Sequence, residues 1–561
     1  MTADLWYRNS IIYSLDVETF LDADGDGVGD FEGLVRRLDY LDALGVDTIW
    51  LAPFQPSPDR DDGYDITDFY GVSARYGSSG DFVEFMREAR RRGMKVIVDL
   101  VINHTSDEHP WFREARQGPG ARHHDWYVWS KARPKHMKQG MVFPGFQEST
   151  WSYDKQARAW YYHRFFDFQP DLDSANPEVR EEMRRIMGYW LELGVAGFRI
   201  DAVPFVLELT TPGRAKAEQD FELLYDLRRF AQLRAGDAVL LGEANVPPGG
   251  QARYFGRRGE GLQMMFNFWV NQHLFHALAT GDVRPLADAL RATRRLPAGA
   301  QWAQFLRNHD ELDLGRLTDE QRARVFERFA PDEGMRLYGR GIRRRLAPML
   351  GDRPHLELAY SMLFSLPGTP VLRYGDEIGM GDDLSLPQRD AVRTPMQWSH
   401  EPQAGFSTAQ ATVCPVIADG VWSYRRVNVE AQQRDPASLL NWTGRMIRLR
   451  KECPEIGWGE WTLLATGSPH VLAMRYDWRG NSLVVVHNFA AEPQAVRLRP
   501  GVEGGERLVD LLVEEESRAS GSGEHRLAID AFGYRWFRVG DLNYALGRPR
   551  PSNRGSARGG P

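Results

Sequence analysis

The α/β fold that this 561-residue sequence predicts is a (β/α)8 barrel with an inserted subdomain after its third strand and a C-terminal antiparallel β-sandwich. Three observations predict it. Short apolar, β-branched runs recur along most of the chain, each followed by a turn and usually by a helical pattern, and eight such units close into a parallel barrel. Polar residues gather at the C-terminal ends of those runs, where barrel enzymes build their sites. From about residue 456 the pattern changes to closely spaced strand-like runs without helices.

The runs read "IIYSLDVETF" (11–20), "GVDTIWLAPF" (45–54), "MKVIVDLVINH" (94–104), "GVAGFRIDAV" (194–203), "AVLLGEAN" (238–245), "LQMMFNF" (262–268), "WAQFLRNHD" (302–310) and "GTPVLRYGDE" (368–377). Between the first two, Phe31, Leu34, Val35, Leu38, Leu41 and Leu44 repeat at the spacing of one buried helical face. "FVEFMREARRRG" (82–93) predicts a second helix, stopped by its glycine. The rhythm breaks at 105–175, rich in aromatic and polar residues and expected to be the inserted subdomain, and at 311–350, a lid-like insertion. The barrel therefore takes 1–104 and 176–455, and the sandwich takes 456–541 with runs such as "HVLAMRYDW" and "SLVVVHNF". Residues 542–561 are too poor in apolar side chains to fold and read as a disordered tail.

Lys and Arg total 70 against 77 Asp and Glu, a net charge of −7, which argues against a nucleic-acid partner. The chain opens without a basic, then apolar, leader pattern, and no apolar run approaches the roughly 18 residues that cross a bilayer. The expectation is a cytoplasmic protein with no membrane association. Cys414 and Cys453 are the 2 cysteines and read as buried thiols. The 17 Trp, 20 Tyr and 28 Phe serve mainly a large core, though sugar sites also use aromatic rings as stacking platforms.

"GFRIDAVPF" (197–205) is the segment that carries chemistry. Alternate strand residues share a face, so Arg199 and Asp201 point together into the barrel lumen near the C-terminal end of their strand. Other strand ends supply Asp99, Asn103, His104, Glu243, His309, Asp310, Asp376 and Glu377. Any one of these is more readily a cap or an ion-pair partner. Three carboxylates on three strand ends, with two histidines beside them, fit retaining glycoside transfer better. Asp201 suits the nucleophile, because the Arg199 guanidinium should favour its ionised form. Glu243, framed by Leu240, Leu241 and Ala244, suits the acid, because desolvation raises a carboxyl pKa. Asp310 would hold the ring hydroxyls as charge develops, with His104 and His309 donating hydrogen bonds to them. Separately, "DADGDGVGD" (22–30) spaces Asp22, Asp24, Asp26 and Asp30 with the Val28 carbonyl, as a hard cation requires. It is no EF-hand, since Gly33 stands where that loop needs glutamate.

"DLVINH", "GFRIDAV", "GEAN" and "RNHD" resemble, in order and spacing, the four signature regions of the α-amylase superfamily, glycoside hydrolase family 13. The likeness continues through "DGYDITDF", "QPDL", "SLPGTPVLRYGDEIGMGD" and "RTPMQW". Within that family, "RDDGYDI", "LRNHDEL", "GIRRRLAPML" and "NVEAQQRDPASLL" resemble the trehalose synthases, which isomerise maltose to trehalose. The resemblance implies Asp201 as nucleophile, Glu243 as acid/base and Asp310 as transition-state stabiliser. It also implies that Asp65 and Arg393 grip the non-reducing glucose, with Tyr64 as stacking ring and His104, Arg199 and His309 completing the substrate set. The 22–30 loop resembles a structural ion loop of family α-glucosidases, holding Ca2+ or Mg2+. A second Ca2+ site, as in trehalose synthases, would use Asn103, Asp171, Glu208 and the carbonyls of Phe205 and Val206. No organic cofactor is implied.

This chain departs from the trehalose synthase pattern on the acceptor side, with "EANVPP" for "EANQW" and "FNFWVNQH" for "FHFPLMPR". An α-glucosidase, or a glucosyltransferase with another acceptor, therefore stands beside the isomerase as an alternative. A non-catalytic amylase-fold binding protein is disfavoured because all three carboxylates are present. The expected partner is a small α-glucoside such as maltose or trehalose, and a homo-oligomer stays open.

Overall fold

Eight strands form a closed parallel barrel in chain order: β1 (Ile12–Leu15), β2 (Thr48–Leu51), β3 (Lys95–Leu100), β4 (Gly197–Ile200), β5 (Val239–Gly242), β6 (Met264–Phe266), β7 (Gln301–Phe305) and β8 (Thr369–Arg373). β8 pairs with β1 to complete the ring. Each run expected from the sequence holds or overlaps one strand. This computed structural model describes residues 5–210, 218–502 and 505–540, and the chain divides into two compact units, Met1–Glu452 and Cys453–Pro561.

The barrel strands are buried nearly throughout, which is why they read as continuous apolar runs instead of alternating ones. Trp50, Ile97, Val239, Leu241, Met264 and Phe305 belong to the cluster that fills the interior. Parallel register then sets Asp99, Arg199 and Leu241 side by side on β3, β4 and β5. Gly197 is required at the start of β4, since a Cβ there would lie 2.3 Å from the Val239 carbonyl oxygen.

The helix Ser79–Arg91 starts in a capping box between Ser78 and Asp81 and buries Phe82, Phe85, Met86 and Ala89. Pro177–Glu192 starts with an Asn176 cap and a proline in its first turn. The single helix expected across 31–44 is two, Phe31–Arg36 and Leu38–Leu44. Arg37 leaves helical geometry (φ −109°, ψ 3°) and lays its guanidinium 4.2 Å over the Trp398 ring. The apolar face survives, with Leu34, Leu38 and Leu41 fully buried.

After β3 the chain forms the helix Pro110–Ala115 and an antiparallel sheet in which Ala159–Tyr162 lies between Trp129–Ser130 and Trp151–Asp154. After β7 it forms the helix Asp319–Phe329 and a small sheet with Gly341–Ile342 between Leu312–Asp313 and Arg336–Leu337. The second unit has a six-stranded antiparallel sheet and a two-stranded one, Gln494–Leu498 with His525–Ile529. Val471, Val484, Val486, Leu498, Ile529 and Phe537 share its core. The tail expected over 542–561 lies outside the described residues. No helix among the described residues is long and apolar enough to cross a membrane.

Candidate active site

Arg199 on β4 is the hub of the barrel mouth. Its Nη1 donates to Asp201 at 2.6 Å and its Nη2 to Glu243 at 2.7 Å, so one guanidinium holds both carboxyls. Asp201 follows the last residue of β4, and Ala202 after it adopts a left-handed φ of 47°. Such strain persists only where surroundings impose it; here it aims the Ala202 N–H at the Glu243 carboxylate, 3.1 Å away. Asp99 accepts from Trp50 Nε1 (3.0 Å) and the Tyr64 hydroxyl (2.7 Å), and stands 3.4 Å from Arg199.

Asp310, past the end of β7, meets three cationic or polar groups. Arg389 Nη1 is 3.0 Å from its Oδ1, Arg393 Nη2 is 3.3 Å from the same oxygen, and His309 Nε2 is 3.3 Å from Oδ2. His309 Nε2 also contacts the Tyr64 hydroxyl at 2.9 Å. That hydroxyl donates to Asp99, so the ring proton belongs on Nε2.

Burial and charge separate these acids. Burial opposes ionisation of Asp310, but Arg389, His309 and Arg393 outweigh it and hold its carboxyl well below the usual range. Burial pushes Glu243 up to about 7 against the pull of Arg199, with Asp201 and Asp310 adding to the rise. Asp201 rises to about 6, because burial together with Asp99 and Asp310 overcomes Arg199. Arg199 pulls Asp201 toward its ionised form, the direction read from the sequence, and burial outweighs that pull. Burial holds His104 and His309 neutral, at about 4 and about 3.

These groups open on a cavity of about 490 Å3, bordered by Tyr64, His104, Asp201, Glu243, His309 and Asp310, within the usual size of small-molecule sites. The excursions after β3 and β7 meet over it: the rings of Phe143 and Tyr338 lie 4.9 Å apart, and Arg340 donates to the Val142 carbonyl at 3.0 Å. Arg389 stacks beneath them, 5.0 Å from Phe143 and 5.6 Å from Tyr338.

Asp65 does not reach the cavity. It is fully buried, and its carboxylate turns back onto the Ser57 hydroxyl (2.8 Å) and the Arg60 and Asp61 N–H groups (3.3 Å each), closing a turn through Gly63 at φ 84°. Its two neighbouring carboxylates are placed differently. Asp61 borders the cavity, and Asp62 pairs with Arg393 at 2.8 Å. The run Asp61-Asp62 was on view in the sequence, but nothing local says which carboxylate faces inward. Arg389 was missed for the same reason. His104 borders the cavity with both ring nitrogens engaged, Nε2 on the Tyr64 carbonyl (3.1 Å) and Nδ1 beside the Asn103 amide (3.3 Å), so it offers no free donor.

In the 22–30 loop, carboxylate oxygens of Asp22, Asp24 and Asp30 lie within 4.8 Å of one another, a hard-oxygen set suited to Ca2+ or Mg2+. Asp26 stays at the exposed rim, accepting the Val28 N–H at 2.8 Å, outside that trio. At the second cation set expected from the sequence, Glu208 is engaged by Arg164. Arg164 pairs with Glu208, its backbone N–H donates to Asp171 at 2.9 Å, and it stacks 4.7 Å over Phe205. Of the set Asn103, Asp171, Phe205, Val206 and Glu208, Glu208 thus already has a cationic partner.

Residues 14–330 and 343–459 match the alpha-amylase catalytic domain, and residues 480–538 match a sucrose hydrolase-like C-terminal domain. The trehalose synthase of Thermus thermophilus is 42% identical over 553 residues, 98% of this chain, which spans only 57% of that relative's length. The trehalose synthase/amylase TreS of Mycobacterium tuberculosis is 40% identical over 553 residues, 97% of this chain and 92% of the relative. The solved trehalulose synthase MutB of Pseudomonas mesoacidophila MX-45 superposes with a TM-score of 0.76 at 26% identity, covering 95% of this chain and 99% of that one. A closed parallel barrel with three acids at its carboxyl mouth and this extent of likeness lead to one conclusion: the chain belongs to the alpha-amylase family.

Proposed function

We propose that this enzyme breaks and remakes α-glucosidic bonds with retention, interconverting maltose and trehalose. The Asp201 carboxylate attacks the anomeric carbon of the non-reducing glucose while Glu243 protonates the glycosidic oxygen, releasing glucose and leaving a glucosyl ester on Asp201. The anomeric hydroxyl of that glucose then attacks the same carbon; its proton returns to Glu243 and the ester breaks to free Asp201. Asp310, kept anionic by its arginines, stabilises the positive charge that develops on the ring. Asp61, which borders the cavity, takes the far hydroxyls of the bound glucose in place of Asp65, with Arg393 behind it on Asp62 and Asp310.

One observation carries the stereochemical half of this reading. Asp201 and Glu243 sit on the two terminal nitrogens of one guanidinium, at 2.6 and 2.7 Å, which favours the close spacing of a retaining pair, about 5–5.5 Å, over the about 6.5–9.5 Å by which an inverting pair admits water. The full-length likeness to trehalose synthases supports the choice of acceptor. The second reading, an α-glucosidase or a glucosyltransferase with another acceptor, is favoured by the acceptor-side departures "NVPP" after Glu243 and "FNFWVNQH" at the end of β6. Asp22, Asp24 and Asp30 would hold a Ca2+ or Mg2+ ion whose part is to brace the 22–30 loop. Incubation with maltose and separation of the sugars tests the function: trehalose supports isomerisation, and glucose alone refutes it.

A further inference from the structure

An isomerase must hold the first-released glucose and exclude water while the glucosyl-enzyme persists. The molecule contains a polar seam placed for that task. Asp313, in the short strand just beyond Asp310, accepts the Asn245 side-chain amide at 2.8 Å through one oxygen. Its other oxygen accepts the Gly315 N–H at 2.7 Å and lies 3.5 Å from Arg340 Nε. Arg340 also donates to the Val142 carbonyl at 3.0 Å, and Arg316 bonds the Asn245 side chain at 3.3 Å and its carbonyl.

Three segments distant in sequence are joined in this way: the loop that carries Glu243, the excursion after β7 and the subdomain inserted after β3. All six residues border the catalytic cavity on the side of Glu243, where the leaving sugar must stand to receive the acid's proton. Asp310 has its own partners in Arg389, Arg393 and His309, so the seam is not needed to orient it. The side chains of Asp313 and Arg340 are 21% and 27% exposed, which puts the pair between cavity and solvent. The seam is closely packed, since a Cβ on Gly315 would come within 2.9 Å of Asp313 Oδ1 and 3.1 Å of Arg340 Cδ.

We infer that the Asp313–Arg340 pair, with Asn245 and Arg316, closes the acceptor side of the cavity and determines whether the glucosyl group passes to glucose or to water. This rests on the isomerase reading above. With the seam shut, the retained glucose supplies the attacking hydroxyl and the product is trehalose. With it open, water attacks instead, its proton goes to Glu243, the Asp201 ester breaks, and both sugars leave as glucose.

The test is the glucose-to-trehalose ratio formed from maltose by the full chain, compared with Asp313→Ala and Arg340→Ala, with labelled free glucose present. Because the ratio is internal to each reaction, partial loss of folded enzyme does not move it, and the two variants lie on different segments, Asp313 on a strand of the small sheet and Arg340 in the turn before Gly341–Ile342. Each variant should raise the ratio about five- to tenfold, the effect of losing one charge-assisted contact, and should admit label into trehalose where the parent admits little. Unchanged ratios in both variants, from a parent that makes trehalose, would overturn the seam. A parent that makes glucose and no trehalose overturns the isomerase reading instead.

Discussion

Asp201 and Glu243 share one guanidinium, yet burial raises both above ordinary carboxylates, to about 6 and about 7. Catalysis needs the first ionised and the second protonated. kcat/KM should therefore trace a narrow bell whose limbs, as apparent values of the coupled pair, fall near 6 and near 7. The acid limb reports proton uptake by the nucleophile and the alkaline limb loss of the acid's proton; a flat profile from about pH 5 to about pH 9 would contradict the assignment. The same shift has a stability consequence. Folded Glu243 keeps a proton that the unfolded chain releases between 4.5 and about 7, so stability present below that window is lost as pH rises through it. Glu243→Gln should thus raise Tm more at about pH 8 than at about pH 4, and thermal melts showing equal shifts would disprove it. Asp201→Ala should lower kcat by more than about 10³-fold with unchanged far-ultraviolet circular dichroism.

At the scale of elements, the site depends on backbone contacts that single side chains would break. A methyl group on Gly197 meets the Val239 carbonyl at 2.3 Å, a backbone atom that cannot swing aside, so Gly197→Ala should push β4 from β5 and carry Arg199 with it. A loss of roughly 2–4 kcal/mol in chemical denaturation is expected, together with reduced kcat; a variant as stable as the parent would show that the barrel yields there. The 22–30 loop is partly self-supporting, because the Asp22 carboxylate already accepts the Gly25 and Gly27 N–H groups at 2.7 and 2.8 Å. The ion proposed for Asp22, Asp24 and Asp30 would add to that. Chelator should lower Tm in the parent and leave Asp22→Ala unmoved, and identical responses would remove the ion from the account.

At the scale of the whole molecule, closure over the cavity couples sugar binding to stability. Maltose at about 100 times its dissociation constant should stabilise the inactive Asp201→Ala variant by about 2.7 kcal/mol, read as a rise in Tm that sucrose or glucose at the same concentration does not match. The barrel, its strand order and the three acids were legible in the sequence, because a buried parallel strand must be apolar, and a charged pair such as Arg199 and Asp201 at the end of one stands out against that background. Those are consequences of chain-local periodicity. The inward turn of Asp61 in place of Asp65, the Arg389 grip on Asp310, the Arg164–Glu208 pair and the Asp313–Arg340 seam depend on which distant segments meet. Only the tertiary structure decided them, since the free energy of burying a charge is set by partners through space, and neighbours along the chain do not name those partners.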